Sequence, residues 1–209
     1  MRTKTKTSRF ARTALATALA ATALAAIPAQ GSAAVKFGTD LNPTVQPSNS
    51  LPKHPCTHQD PGKSCTRVES VSYGNPGHER APKSGTIKKI RVIAGGPGQF
   101  RLQIAKVKVD TIGMDNTAKV VRDGPVIHYQ GQSDQNWNTD HYNVESFKVN
   151  VPVHKGEYLA MRSKYTSALR CSSGGDNQLI YQPSLLAGGG FQNASSTDGC
   201  WMLLQAVIR

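Results

Sequence analysis

After residue 35 this chain never sustains a helical period; its apolar residues recur at every second position in short runs. The clearest is 142–153 (YNVESFKVNVPV), where Phe147, Val149, Val151 and Val153 share one parity. Alternate side chains of a strand point to opposite faces, so such a run reads as a strand with one face in a core. Residues 86–94 repeat the pattern, with Ile90 and Val92 opposed to Lys89 and Arg91. In 99–109, Phe100, Leu102 and Ile104 point inward, and a β-bulge is expected to shift the phase so that Val107 and Val109 continue that face. Residues 65–73, 126–130, 157–163 (Leu159 and Met161 inward) and 179–182 are further strands. Residues 201–208 are apolar on both faces, as a covered strand should be, and Trp201 reads as core. Gly95-Gly96-Pro97-Gly98 reads as a hairpin turn and Lys155-Gly156 as a tight turn. About eight strands at this spacing predict an all-β fold: an antiparallel β-sandwich of jelly-roll type.

The amino terminus has a different grammar. Arg2, Lys4, Lys6, Arg9 and Arg12 precede an Ala/Leu run, and small residues follow. Charged region, apolar region and cleavage site in that order predict a secretory signal peptide over 1–34, cut after Ala34 or after Ala29. Its apolar run is short for a bilayer span, and no later segment is long and apolar enough for one. Removing 1–34 takes five of the 25 cations and none of the 13 anions, so the formal charge falls from +12 to +7. Five of the twelve prolines then fall in 35–61, which reads as an extended lead segment before a β-sandwich domain over 62–209. An even cysteine count in an exported chain predicts disulfides, and the favoured pairing is Cys56–Cys65 and Cys171–Cys200. The competing reading is a metal site at His54, Cys56, His58 and Cys65, but no Cys-x-x-Cys accompanies it. No metal or cofactor is expected.

The turn Val153-His154-Lys155-Gly156-Glu157-Tyr158-Leu159 follows the longest alternating run, and Cys200 precedes the last strand. In these features residues 84–208 resemble small secreted β-sandwich proteins of actinobacteria. The resemblance implies the fold and brings no activity or site residue with it.

Motifs for chemistry are few. No phosphate-binding loop or G-x-S-x-G elbow is present, and Gly188-Gly189-Gly190 reads as loop. A glycosidase needs two facing carboxylates. Of Glu69, Glu79, Glu145 and Glu157, only Glu145 has inward parity on a strand, and Glu157 reads as a solvated turn residue. A polysaccharide lyase needs a base–acid pair in a basic groove. His128-Tyr129 and His141-Tyr142 supply the residue types, but neighbours on a strand face opposite ways. The stretch with the best ligand chemistry is 131–141 (GQSDQNWNTDH). There Trp137 can stack on a sugar ring while Asp134, Asn136, Asn138, Asp140 and His141 hydrogen-bond its hydroxyls. The calcium-loop pattern is missing from it. Parity places Lys89, Arg91, Arg101 and Gln103 on one sheet surface, joined by Lys148. Interleaved stacking aromatics are absent, so nucleic acid is not an expected partner. The expectation is a secreted, non-enzymatic binding protein for carbohydrate or an anionic cell-envelope polymer. The alternatives are a small glycoside hydrolase or lyase and a structural cell-surface protein.

Overall fold

The computed structural model describes residues 33–41, 54–56, 63–72, 74–108, 116–132, 142–171 and 176–209. Regular structure among them is strand throughout. In chain order these are β1 (Val35–Gly38), β2 (His54–Pro55), β3 (Cys65–Glu69), β4 (Gly85–Val92), β5 (Gly98–Lys108), β6 (Thr117–Tyr129), β7 (Glu145–Val153), β8 (Tyr158–Ser163), β9 (Tyr165–Thr166), β10 (Leu169–Cys171), β11 (Gln178–Tyr181), β12 (Gln192–Asn193), β13 (Ser196–Asp198), β14 (Cys200–Met202) and β15 (Leu204–Ile208).

Eight principal strands pair antiparallel in four nested couples: β1 with β15, β3 with β8, β4 with β7, and β5 with β6. One sheet runs β1-β15-β4-β7 and the other runs β12-β6-β5-β8-β3-β11-β13. A chain that pairs its ends and then each successive inner couple, distributed alternately over two sheets, is a long hairpin rolled into a jelly roll. The expected fold class is therefore present, with β11 to β13 added to the rims of the larger sheet.

The sheets pack face to face. Phe37, Ile87, Ile90, Val92, Val151, Val153, Leu204 and Ile208 from the four-stranded sheet share one core with Phe100, Leu102, Ile104, Leu159 and Met161 from the larger one. A second cluster lies on the outer face of the larger sheet, where Val68, Ala105, Ala118, Val120 and Ala160 are roofed by Leu185. This corrects the bulge placed in 99–109. β5 alternates strictly, so Val107 packs into the second cluster, and Val109 lies outside the described residues. The extra residues are on β6. Arg101 pairs with Val126 but Gln103 with Asp123, so Gly124-Pro125 form the irregularity. Proline cannot donate to a ladder and belongs at such a site.

Further expectations fail for topological reasons. Gly95–Gly98 is not a hairpin turn, because β4 and β5 lie in different sheets and the glycines carry the crossover. For the same reason Lys89 and Arg91 share no surface with Arg101 and Gln103. Lys148 does stand beside Lys89, its register partner. Gln103 is buried, donating to Asp123 and to the Leu185 carbonyl. The final run is broken at Leu203 into β14 and β15, and Trp201 is half-buried rather than core. Val35–Gly38, at the head of the Pro-rich segment, is already a sandwich strand. Both disulfides form as paired above, Cys171 and Cys200 standing directly opposite each other in β10 and β14. That consumes the thiols the metal reading required, and two disulfides mark an oxidising environment.

Candidate functional site: a basic pocket on the larger sheet

Leu185 and its neighbours roof only part of the larger sheet's outer face. Around the start of β5 and the ends of β6 and β8 the surface opens into a pocket of about 390 Å³. Strand register builds its floor. Val126, Arg101 and Arg162 stand side by side on β6, β5 and β8, all with outward parity. Lys164 and Tyr165 close one side, and Pro97 to Gln99 close another. Tyr165 is 42% exposed and Val126 37% exposed, so an aromatic and an aliphatic surface meet the solvent here.

The electrostatics are one-sided. Arg101 and Arg162 are directly opposed across adjacent strands, an arrangement that destabilises a sheet when both charges are alike. Among the described residues, no acidic residue lines the pocket. Arg101 Nη1 donates to the Gly124 carbonyl at 3.1 Å, which orients the guanidinium without neutralising it. Elsewhere the chain treats arginine differently. Arg67 pairs with Asp198 at 2.7 Å, and Arg122 grips both oxygens of Glu157 at 2.8–3.3 Å.

The rim is stiff. Tyr129 lies beneath it with its hydroxyl against Thr166 Oγ1 at 3.2 Å and receives the Ser167 N–H. A Cβ on Gly98 would fall 2.4 Å from that hydroxyl, so only glycine lets the ring lie there. Ser167 Oγ donates to the Gly96 carbonyl at 2.7 Å. Gly131, at φ +63°, sits so close to Gly96 that a Cβ would meet its oxygen at 2.4 Å.

The glutamates take structural places. Glu145 accepts the backbone N–H groups of Gln130 and Gly131 at 3.0 and 2.7 Å, fastening the end of β6 to β7. Glu157 is not solvated as its turn suggested. It is 1% exposed, held by Arg122 and by the His154 N–H. A Gly-containing turn hides this, because the carboxylate folds back under the sheet crossover. Glu69 and Glu79 are buried at the other end of β3. Burial pushes the Glu69 carboxyl well above the usual carboxylate range, opposed by the hydrogen bond from the Met202 N–H and by the contact with Thr39. His128 points away from Tyr129, as strand parity requires. Trp137, Asp134, Asn136, Asn138, Asp140 and His141 all lie outside the described residues.

Sequence reasoning named Arg101 but missed Arg162, Lys164 and Tyr165. Their neighbourhood depends on β5 pairing with β8 across some sixty residues, which local periodicity does not encode. Among the described residues, no group of three or more His, Cys, Asp or Glu is arranged to hold a metal ion. Comparison with protein-family models, with curated proteins and with solved structures gave no match.

Proposed function

We propose that the protein is secreted and binds anionic carbohydrate, receiving acid-bearing sugars at the pocket of Arg101, Arg162, Lys164 and Tyr165. One observation carries this reading: two register-paired arginines share a pocket in which no carboxylate lies among the described lining residues. A planar guanidinium fork matches a carboxylate bidentately, and a uronate would relieve the repulsion between the two. Tyr165 supplies a ring face for the sugar. The leader pattern, the two disulfides and the resemblance to secreted actinobacterial sandwiches support export. The carboxylates of Glu145 and Glu157 are engaged by backbone amides and Arg122, which favours binding over glycoside hydrolysis.

Titration calorimetry with oligogalacturonate and with a neutral glucan of equal length tests it. The acidic oligomer should bind, the neutral one should not, and Arg101→Gln with Arg162→Gln should weaken binding by about tenfold or more, the size of a lost charge-assisted contact. Equal affinity for both oligomers would refute the reading. Trp137→Ala in the same assay tests the stacking role read from the sequence, with an expected loss of about 1–3 kcal/mol.

A second reading has one observation in its favour: the Tyr165 phenol stands beside Arg162 and Lys164 in the same pocket. A lyase would use the cations to stabilise a uronate carboxylate while a base takes the neighbouring C5 proton. The C4–oxygen bond then breaks, the Tyr165 phenol giving its proton to the leaving oxygen, and the other fragment keeps an unsaturated end. A rise in ultraviolet absorbance on incubation with polygalacturonate, lost in Tyr165→Phe, would identify it.

A further inference from the structure

The outer face of the four-stranded sheet is the strongest charge feature outside the pocket. Four strands contribute to it, and register aligns their residues into rows. Lys36 on β1, Val207 on β15, Lys89 on β4 and Lys148 on β7 form one row. Gly38, Gln205, Arg91 and Ser146 form the next. Lys88 and Asn150 meet beside the irregularity in β4. The only acidic residue on these strands is Glu145. Its parity is inward, and its carboxylate accepts backbone N–H groups of β6 and the residues that follow.

A face that serves only to keep a protein in solution mixes both signs of charge. This one instead sets Lys89 directly opposite Lys148, a destabilising placement. Its anchored cations are held by neutral partners. Arg91 donates to the Gln205 amide oxygen at 2.5 Å, and Gln205 is itself fixed by donating to the Thr39 carbonyl at 3.0 Å. Lys88 donates to the Asn150 amide oxygen at 2.5 Å. The charges are aimed and left uncompensated.

We propose that this face is a second site, independent of the pocket, for a linear phosphodiester polymer such as poly(glycerol phosphate). The outward residues of these four strands include no aromatic ring, so the strands offer no platform for a sugar or a base and work by charge and hydrogen bonding. Lysine ammonium groups are point charges suited to phosphate, in contrast to the paired guanidinium forks of the pocket. Adjacent strands lie about 4.8 Å apart, and same-face residues along a strand lie about 6.8 Å apart. The rows therefore present a two-dimensional grid of cations that a flexible chain of repeating phosphates can follow in several registers.

Binding of the purified protein to immobilised poly(glycerol phosphate) is measured over a series of salt concentrations. The variants are Lys89→Gln with Lys148→Gln, and Arg101→Gln with Arg162→Gln. The lysine variant should bind at least about tenfold more weakly at low salt, and the slope of log affinity against log salt should shrink by about 1.4, two contacts at about 0.7 each for a flexible strand. The pocket variant should bind like the parent. Thermal unfolding of the lysine variant should be unchanged or slightly raised, since a like-charge pair has gone. Parent-like affinity and slope in the lysine variant would overturn the proposal. So would tighter binding to a single-stranded oligodeoxynucleotide at equal phosphate concentration, which would assign the face to nucleic acid. Failure of oligogalacturonate to bind the pocket leaves this result untouched, so the two readings fail separately.

Discussion

Glu69 should hold its proton well above the pH at which an ordinary carboxyl ionises, and that proton should be visible in the stability of the protein. The side chain is 1% exposed, and Glu79 and Asp198 add negative potential to the desolvation that raises its pKa. The geometry agrees. Thr39 has one hydroxyl hydrogen, and its 2.5 Å contact with the Met202 carbonyl claims it. The 3.3 Å contact between Thr39 Oγ1 and Glu69 Oε1 is then a hydrogen bond only if the carboxyl is protonated and donates. In the unfolded chain the same carboxyl ionises near its ordinary value of about 4.3. Between the two values the folded state binds one proton that the unfolded state has released, so raising the pH favours unfolding. The slope from this group is about −1.4 kcal/mol per pH unit. Its stabilisation is complete below the unfolded value and is lost as the pH climbs through the folded one. Glu69→Gln keeps the shape, can still accept the Met202 N–H and can donate to Thr39, but it carries no titrating proton. Urea unfolding of both proteins at pH 5, 6 and 7 isolates the group, because every other titration cancels in the difference. The parent should lose stability relative to Glu69→Gln as the pH rises above the ordinary carboxylate value, by up to about 1.4 kcal/mol per unit. Parallel stability curves would show that Glu69 carries no differential proton and would refute the reasoning.

Two further substitutions test the supports of the sandwich. Arg122→Ala leaves the Glu157 carboxylate buried with only the His154 N–H, and should cost about 3 kcal/mol in urea unfolding at neutral pH, the low end for breaking a buried pair because Arg122 is partly exposed. Gly131→Ala puts a Cβ into the Gly96 backbone at a left-handed φ, and should cost at least about 2 kcal/mol while weakening oligogalacturonate binding through the distorted rim.

What the sequence made legible was local. Parity identified the inward faces of β4 and β7, because each has one face in the core and one in water, and the cysteine count with its spacing anticipated both disulfides. The larger sheet was harder, since roofing by Leu185 gives β5 a buried outer face as well. Val107, which packs on that outer face, therefore looked with Val109 like a continuation of the core, and a bulge was invoked to explain the shift. Glycine-rich crossovers between sheets have the same composition as hairpin turns, so Gly95–Gly98 was misread, and Lys89 and Arg101 were given one surface. Glu157 was missed because its partner Arg122 lies 35 residues away and its turn looks exposed. The pocket needed β8 beside β5, a pairing set by nested topology rather than by any local pattern.

The distribution of counter-charges is the most informative feature of the molecule. Where an arginine supports the fold, this chain supplies a carboxylate: Asp198 for Arg67 and Glu157 for Arg122. Where cations stand on the two open sheet surfaces, it supplies a glycine carbonyl, a glutamine or an asparagine instead. An amide or carbonyl oxygen orients a cation while leaving its field almost whole, which is the preorganisation the two proposed anion sites would require. The two surfaces are the outer faces of opposite sheets, back to back across one hydrophobic core. A single molecule then presents arginine forks with an aromatic surface on one side and a lysine grid on the other. Two polyanion chains held on opposite sides would be joined through the sandwich, and rebinding at either face would act at the high effective concentration that a rigid linkage provides. A sandwich suits such a linkage, because its two faces cannot move apart without breaking the core they share.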